Sequence, residues 1–251
     1  MTFENALARV NQSILARRFN DDTEPEPTDV CNICHGLQFL RRELPVNHPE
    51  FGKVFPCFCV QDQVATTGSG ILVDDLNRFI WPNVQDINGA FRVRDKIFEI
   101  LERGHGWIFL FGNPGTGKTT LLKTTITELV KAGIPAKYTN MSSIIDDLRA
   151  SFDHSQPSQE ILFRLHKWQN ADILAIDEFD RVNMTEFAQD RQFRLMDERY
   201  QSALNQKTVT IMASNMPPTS FGDYLSDRIL DRQFVVVDMG ETSARQLELN
   251  P

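Results

Sequence analysis

The chain has 251 residues, 41% hydrophobic and 24% charged, with 26 Lys and Arg against 34 Asp and Glu for a net charge of −8. That length holds one α/β domain with a small appendage. The acidic balance excludes a protein coated in basic patches for nucleic acid, though not a local groove on an oligomer.

No apolar run reaches about 18 residues, and Met1-Thr2-Phe3-Glu4-Asn5 lacks a secretory start, so a cytoplasmic protein with no membrane partner is expected. Phe3, Leu7, Val10 and Ile14 recur at helical spacing, which predicts an amphipathic helix to about Arg18. Its stripe packs on its own domain or on a partner protein. The segment Asn20 to Thr28 carries Glu24-Pro25-Glu26-Pro27 and reads as a loop. All four cysteines follow, between Cys31 and Cys59, and then Thr66-Thr67-Gly68-Ser69-Gly70 has the composition of a flexible hinge. The expected division is an N-terminal helix and cysteine region over 1–65, a linker over 66–88, and a larger domain over 89–251.

In that larger domain Val93, Ile97 and Leu101 predict a helix from Ala90 that stops at Gly104. Trp107-Ile108-Phe109-Leu110-Phe111 suits a buried parallel strand. A helix is expected over Lys118 to Lys131, a strand over Ala136 to Thr139, and two helices parted near Gln156-Pro157 over Ser143 to Gln169. Then come a strand over Asp172 to Ile176, a long helix with Phe193, Met196, Tyr200 and Leu204 on one face, and a strand over Thr208 to Ala213. A helix over Phe221 to Arg232 and a last strand over Phe234 to Val237 complete the pattern. Strands alternating with helices predict a parallel sheet covered on both sides.

Three elements of this domain carry chemistry. Gly112-Asn113-Pro114-Gly115-Thr116-Gly117-Lys118-Thr119-Thr120 joins an apolar strand to a helix. Its glycines let phosphates approach the backbone N–H groups at the positive end of the helix dipole. Lys118 would reach the β- and γ-phosphates of ATP, and the Thr119 hydroxyl would ligate Mg²⁺. Downstream, the apolar run Ile173 to Ile176 ends in Asp177-Glu178. In P-loop ATPases such adjacent carboxylates divide the labour, so Asp177 would hold the Mg²⁺ shell and Glu178 would polarise the attacking water. Finally, the strand ending in Ser214-Asn215 would place the Asn215 amide near the γ-phosphate, unless those residues merely start the turn before Pro217-Pro218.

Cys31-x₂-Cys34 and Cys57-x-Cys59 are separated by 22 residues. Two close pairs of thiolates match a closed tetrahedral zinc (Zn²⁺) site, with His35 as a minor alternative ligand. Disulfides do not suit a cytoplasmic chain. Cys31-Asn32-Ile33-Cys34-His35 also fits a c-type haem attachment pattern, but that reading leaves the second pair unexplained. Two pairs of buried thiols would leave the clustering without a purpose.

Taken together, Gly112 to Thr120, Ile176-Asp177-Glu178, Glu198-Arg199-Tyr200 and Thr210-Ile211-Met212-Ala213-Ser214-Asn215 resemble the DnaC/DnaI/IstB group of AAA+ ATPases. Leu225-Ser226-Asp227-Arg228-Ile229-Leu230-Asp231-Arg232 extends the likeness, which runs from about Cys31 to Arg245. The resemblance implies an ASCE-type P-loop sheet sandwiched by helices, self-association into an oligomer, and an arginine finger acting on the neighbouring subunit's ATP. Arg228 is the first choice for that finger and Arg232 the second; surface ion pairs with Asp227 and Asp231 are the plainer alternative. Only fourteen residues follow Val237, so the helical lid common in AAA+ proteins is not expected. Arg245, in Gly240-Glu241-Thr242-Ser243-Ala244-Arg245, stands where the group's terminal element carries a nucleotide-sensing arginine.

The same likeness implies that the cysteine region grips the replicative DNA helicase and that the ATPase helps place it on single-stranded DNA. An IstB-like transposition ATPase on duplex DNA is the alternative, but such proteins usually lack the N-terminal cysteines. A zinc adaptor using ATP as a conformational switch is a third, against which Glu178 argues. Arg149, Phe152, His154, Arg164 and Lys167 are the candidates for contacting single strands, since they interleave basic and aromatic groups.

Overall fold

The computed structural model describes residues 37, 39–41, 45–46, 51–57, 66–150 and 157–243. A small antiparallel hairpin comes first, with β1 (Phe39–Arg41) paired to β2 (Val54–Pro56). The expected helix over Phe3 to Arg18 lies outside the described residues.

The main body alternates strand and helix as the periodicities require. Its elements are α1 (Ala90–Arg103), β3 (Gly106–Phe111), α2 (Lys118–Lys131), β4 (Ala136–Asn140), α3 (Met141–Arg149) and α4 (Pro157–Gln169). They continue with β5 (Ile173–Asp177), α5 (Glu186–Leu204), β6 (Val209–Ser214), α6 (Gly222–Ile229) and β7 (Val235–Asp238). Helix α1 buries Val93, Ile97, Ile100 and Leu101 on one face, and it ends where Gly104 turns left-handed and donates its N–H to the Ile100 and Leu101 carbonyls. Pro157 opens α4, where its missing N–H costs nothing.

The five strands form a wholly parallel sheet in the order β4-β5-β6-β3-β7. From β3 the chain crosses to the far edge, returns through β5 and β6, and then passes over β3 to β7. The order therefore reverses around β3, and α/β sheets bind ligands outside the carboxyl ends of strands at such a reversal. One core lies beneath α1 and α2 and includes Ile97, Leu122, Ile126 and Ala175. The other lies beneath α3 to α6 and includes Phe109, Ile176, Leu195 and Met212.

Two expectations need correction. The 66–88 stretch is packed rather than hinge-like. Ile71, Leu76, Trp81 and Val84 join the core beneath α1 and α2, and Trp81 meets Phe98 edge-on at 5.4 Å. Gly68 and Gly70 supply left-handed turns (φ 74° and 79°) that lay the chain along the outer edge of β4. There the Ser69 carbonyl accepts the Tyr138 N–H at 2.6 Å and covers part of an otherwise open sheet edge. The second correction concerns α6, which stops at Ile229 rather than Arg232. Asp231 begins an Asx-type turn, its carboxylate accepting the Gln233 N–H at 2.9 Å and its carbonyl the Phe234 N–H at 2.9 Å, and this turn competes with another helical one.

Arg199 of α5 is wholly buried at the end of the sheet opposite the β3 carboxyl terminus. Its guanidinium donates to the Trp168, Gln169 and Ala171 carbonyls (3.1, 3.1 and 2.8 Å), the Val209 carbonyl (2.6 Å) and Thr210 Oγ1 (2.8 Å). It thus closes the last carbonyls of α4 and ties them to β6. Burial pulls its pKa down to about 9. Arg199→Met is expected to cost about 3–5 kcal/mol, because several buried carbonyls lose their donor together. Urea unfolding at an unchanged m-value would measure it. A change below about 1 kcal/mol would mean water replaces the guanidinium without penalty.

Candidate active site

The residues singled out in the sequence converge at the carboxyl ends of three adjacent strands. After β3 the chain turns through Gly112, Gly115 and Gly117, all at positive φ (141°, 88° and 98°), and enters α2 at Lys118. This conformation suits only glycine, and it leaves the first N–H groups of α2 without helical partners, facing a site for anions. Asn113 and Pro114 form the exposed tip of the loop, and Thr119 and Thr120 are exposed on the first turn of the helix. The Lys118 ammonium folds back to donate to the Gly112 carbonyl (2.6 Å), the Asn113 carbonyl (2.9 Å) and Thr116 Oγ1 (3.2 Å). Burial lowers the Lys118 pKa, while Asp177 and Asp180 oppose that shift by favouring its charged form.

Asp177 ends β5 and is buried. Its Oδ1 accepts the Glu178 N–H at 2.9 Å and its Oδ2 the Tyr138 hydroxyl at 2.9 Å. Glu178 follows in a left-handed conformation (φ 45°), which costs a residue with a Cβ about 1 kcal/mol or more. Its Oε1 accepts from Arg181 at 3.0 Å. Asn215 follows β6, and its backbone N–H and side-chain Nδ2 both donate to the Asp180 carboxylate at 2.9 and 3.3 Å. The Asn215 amide is thereby fixed against the same turn that carries Glu178. Thr119 is exposed on the first turn of α2 and Asp177 is buried at the end of β5, and a hydroxyl and a carboxylate are both hard oxygen donors of the kind Mg²⁺ takes.

Several contacts around the loop were not evident from the sequence. Met239 and Gly240, just past β7, bond to the Phe111 carbonyl (2.7 Å) and the Asn113 N–H (3.1 Å). A Cβ on Gly112 would sit 2.7 Å from the Gly240 carbonyl, and one on Gly115 would sit 2.3 Å from Ser243 Oγ. Asn88 spans the loop and this segment by donating to the Thr242 carbonyl at 2.7 Å and the Thr116 carbonyl at 3.5 Å. Gly112 and Gly115 are therefore required for close approach by the protein itself as well as for phosphates. Asp180 and Tyr138 were also missed, because neither stands in a recognisable spacing.

Other candidates are placed differently. Arg228 lies on α6, where Nη2 donates to Asp197 Oδ1 at 2.6 Å and the guanidinium sits 3.5 Å over the Tyr224 ring and 4.7 Å from that of Tyr200. Its partner is thus Asp197, and neither Asp227 nor Asp231. Asp231 instead accepts from the Tyr200 hydroxyl at 2.8 Å. Of the residues proposed to touch single strands, Arg164 is committed to Glu160 (2.6 Å) and Asp147 (2.8 Å). Arg149 pairs with Asp146 at 3.5 Å, and Lys167 lies 4.5 Å over Trp168 and 4.0 Å from Asp147. Each of these cations thus has a carboxylate within 4.0 Å, while Phe152 and His154 lie outside the described residues.

Cys57, directly after β2, is buried, whereas Cys31, Cys34, Cys59, His35 and Arg245 lie outside the described residues. Among the described residues no helix is long and apolar enough to cross a membrane.

Residues 108–236 match the family model for "ATPase family associated with various cellular activities (AAA)". The chain is 30% identical over 143 residues to the chromosomal replication initiator protein DnaA of Aquifex aeolicus, a match that covers 57% of this chain and 34% of that protein. It thus spans about a third of that relative's length. The structure of AMPPCP-bound DnaA from Aquifex aeolicus aligns with a TM-score of 0.54 at 22% identity over 64% of this chain and 50% of that one. The crystal structure of DnaI aligns with a TM-score of 0.51 at 16% identity over 67% of this chain and 95% of that one, a likeness of fold.

Proposed function

We propose that this chain, which belongs to the AAA family of ATPases, hydrolyses ATP as an oligomer and serves as a loader of the replicative DNA helicase. The observation that carries the ATPase is the convergence of Lys118, Asp177-Glu178 and Asn215 at the ends of β3, β5 and β6. Lys118 leaves the loop carbonyls for the β- and γ-phosphates, and the backbone N–H groups of the loop and the first turn of α2 cradle them. Thr119 and Asp177 would hold a Mg²⁺ accompanying the nucleotide, which would supply neutralisation of phosphate charge. Glu178 takes the proton of the attacking water, and Asn215, fixed by Asp180, orients that water or the γ-phosphate. Arg228 of a neighbouring subunit completes the site.

The helicase-loading part rests on the likeness to the DnaC/DnaI/IstB group and on the N-terminal cysteines. The β1–β2 pairing sets Phe39 beside Pro56, five residues past Cys34 and one before Cys57. This hairpin suits a zinc site closed by Cys31, Cys34, Cys57 and Cys59. The zinc region would hold the helicase while the ATPase oligomer engages single-stranded DNA.

Copurification of the full chain with its host's replicative helicase, with ATPase rates measured on single- and double-stranded DNA, tests this reading. The expected result is a stable complex, stimulation by single strands, and about one zinc per chain that is lost, along with the helicase, in Cys57→Ser. Filaments on duplex DNA without helicase binding would replace the loader with a transposition ATPase. An absence of ATP hydrolysis in every assembly would leave the switch reading.

A further inference from the structure

We infer that Tyr138 is a positioning residue for the magnesium-shell carboxylate, an inference that rests on the ATPase reading above. Tyr138 stands on β4 opposite Ala175 of β5, two residues before Asp177 on the same face of the sheet. From there its ring leans along the strand and its hydroxyl donates to Asp177 Oδ2 at 2.9 Å. The other oxygen, Oδ1, is held by the Glu178 N–H at 2.9 Å. Both carboxylate oxygens are thus aimed by donors, and the plane of the group is fixed before any ligand arrives. Partners of this kind set the orientation of a ligating carboxylate.

Tyr138 is itself held on three sides. The Ser69 carbonyl accepts its backbone N–H at 2.6 Å. Gly70 lies flush against its carbonyl, where an added Cβ would come within 1.9 Å. Lys123 Nζ stands 5.5 Å from its ring centroid and 3.4 Å from Asp75 Oδ2. The stretch that leads from the cysteine region thereby docks on the edge strand at Tyr138, whose side chain reaches Asp177. An isolated buried tyrosine would need any one acceptor, and here the acceptor is the carboxylate that faces the nucleotide.

The test is Tyr138→Phe in the full chain, with Mn²⁺ as the probe metal followed by electron paramagnetic resonance in the presence of AMPPCP. The dissociation constant for Mn²⁺ in the nucleotide complex is expected to rise about 10-fold. AMPPCP binding in EDTA should match wild type, and raising Mg²⁺ should restore the hydrolysis rate. An unchanged Mn²⁺ affinity overturns the inference. So does an equal loss of AMPPCP binding with and without metal, since that marks a merely structural tyrosine. If the wild-type chain binds neither AMPPCP nor its Mn²⁺ complex, the ATPase reading fails and this inference fails with it.

Discussion

Glu178→Gln is expected to lower ATP hydrolysis by about 10²- to 10⁴-fold, the contribution of a positioned general base, while leaving ATP binding within about twofold of wild type. The expectation follows from how the carboxylate is mounted. Glu178 occupies a left-handed conformation at φ 45°, and its N–H is tied to Asp177 Oδ1. A strained backbone of this kind persists only where the surroundings enforce it. Here the Phe179 N–H, bonded to the Ala213 carbonyl at 2.8 Å, and the Asp180 carboxylate, bonded to Asn215, lock the following turn. The side chain is free to move on that rigid base. Its ion pair with Arg181 is 45% exposed on the glutamate side and 56% on the arginine side, so it is worth at most about 1 kcal/mol and yields easily to substrate. Glutamine keeps the shape and the turn but cannot take the proton. Single-turnover hydrolysis beside equilibrium binding separates the two effects, and a variant that hydrolyses at half the wild-type rate would remove Glu178 from the mechanism.

Much of this site was legible in the sequence because its parts obey local rules. The loop from Gly112 to Thr119 is a continuous spacing, and Asp177 and Asn215 each end an apolar strand. The contacts that hold those residues were not legible. Tyr138 reaches Asp177 across 39 positions and Asp180 reaches Asn215 across 35, and both depend on which strands become neighbours. That order is set by the crossing to the sheet's far edge after β3, which no periodicity records. The 66–88 stretch misled for a related reason. Glycine and serine suggest flexibility where the unfolded chain is considered, yet here the same glycines allow the backbone to lie against β4. Arg199 stood out in the family likeness, but its wholly buried position followed only from packing.

Arg228→Ala is expected to lower hydrolysis by the assembled oligomer by about 10³- to 10⁵-fold, the range of an arginine supplied in trans, with ATP binding spared. In the single chain Arg228 is stowed. Its side chain is 16% exposed, its Nη2 is held by Asp197, and its Nε is buried without a hydrogen-bond partner among the described residues. A guanidinium whose Nε is unspent, lying against two aromatic faces, is pre-organised, yet it has more to gain from a phosphate than from Asp197 alone. Arg232, by contrast, is exposed beyond the end of α6, so Arg232→Ala in parallel decides between the two. Mixing inactive Arg228→Ala with inactive Glu178→Gln supplies the sharper readout. A site that keeps Glu178 in one subunit can borrow Arg228 from the other, so partial activity should return on mixing. If mixing restores nothing and a monomeric preparation of wild type hydrolyses ATP as fast as the oligomer, the site needs no neighbour. If Arg232→Ala alone is inactive, the finger is the exposed arginine, and Arg228 joins α5 to α6 as a structural cation.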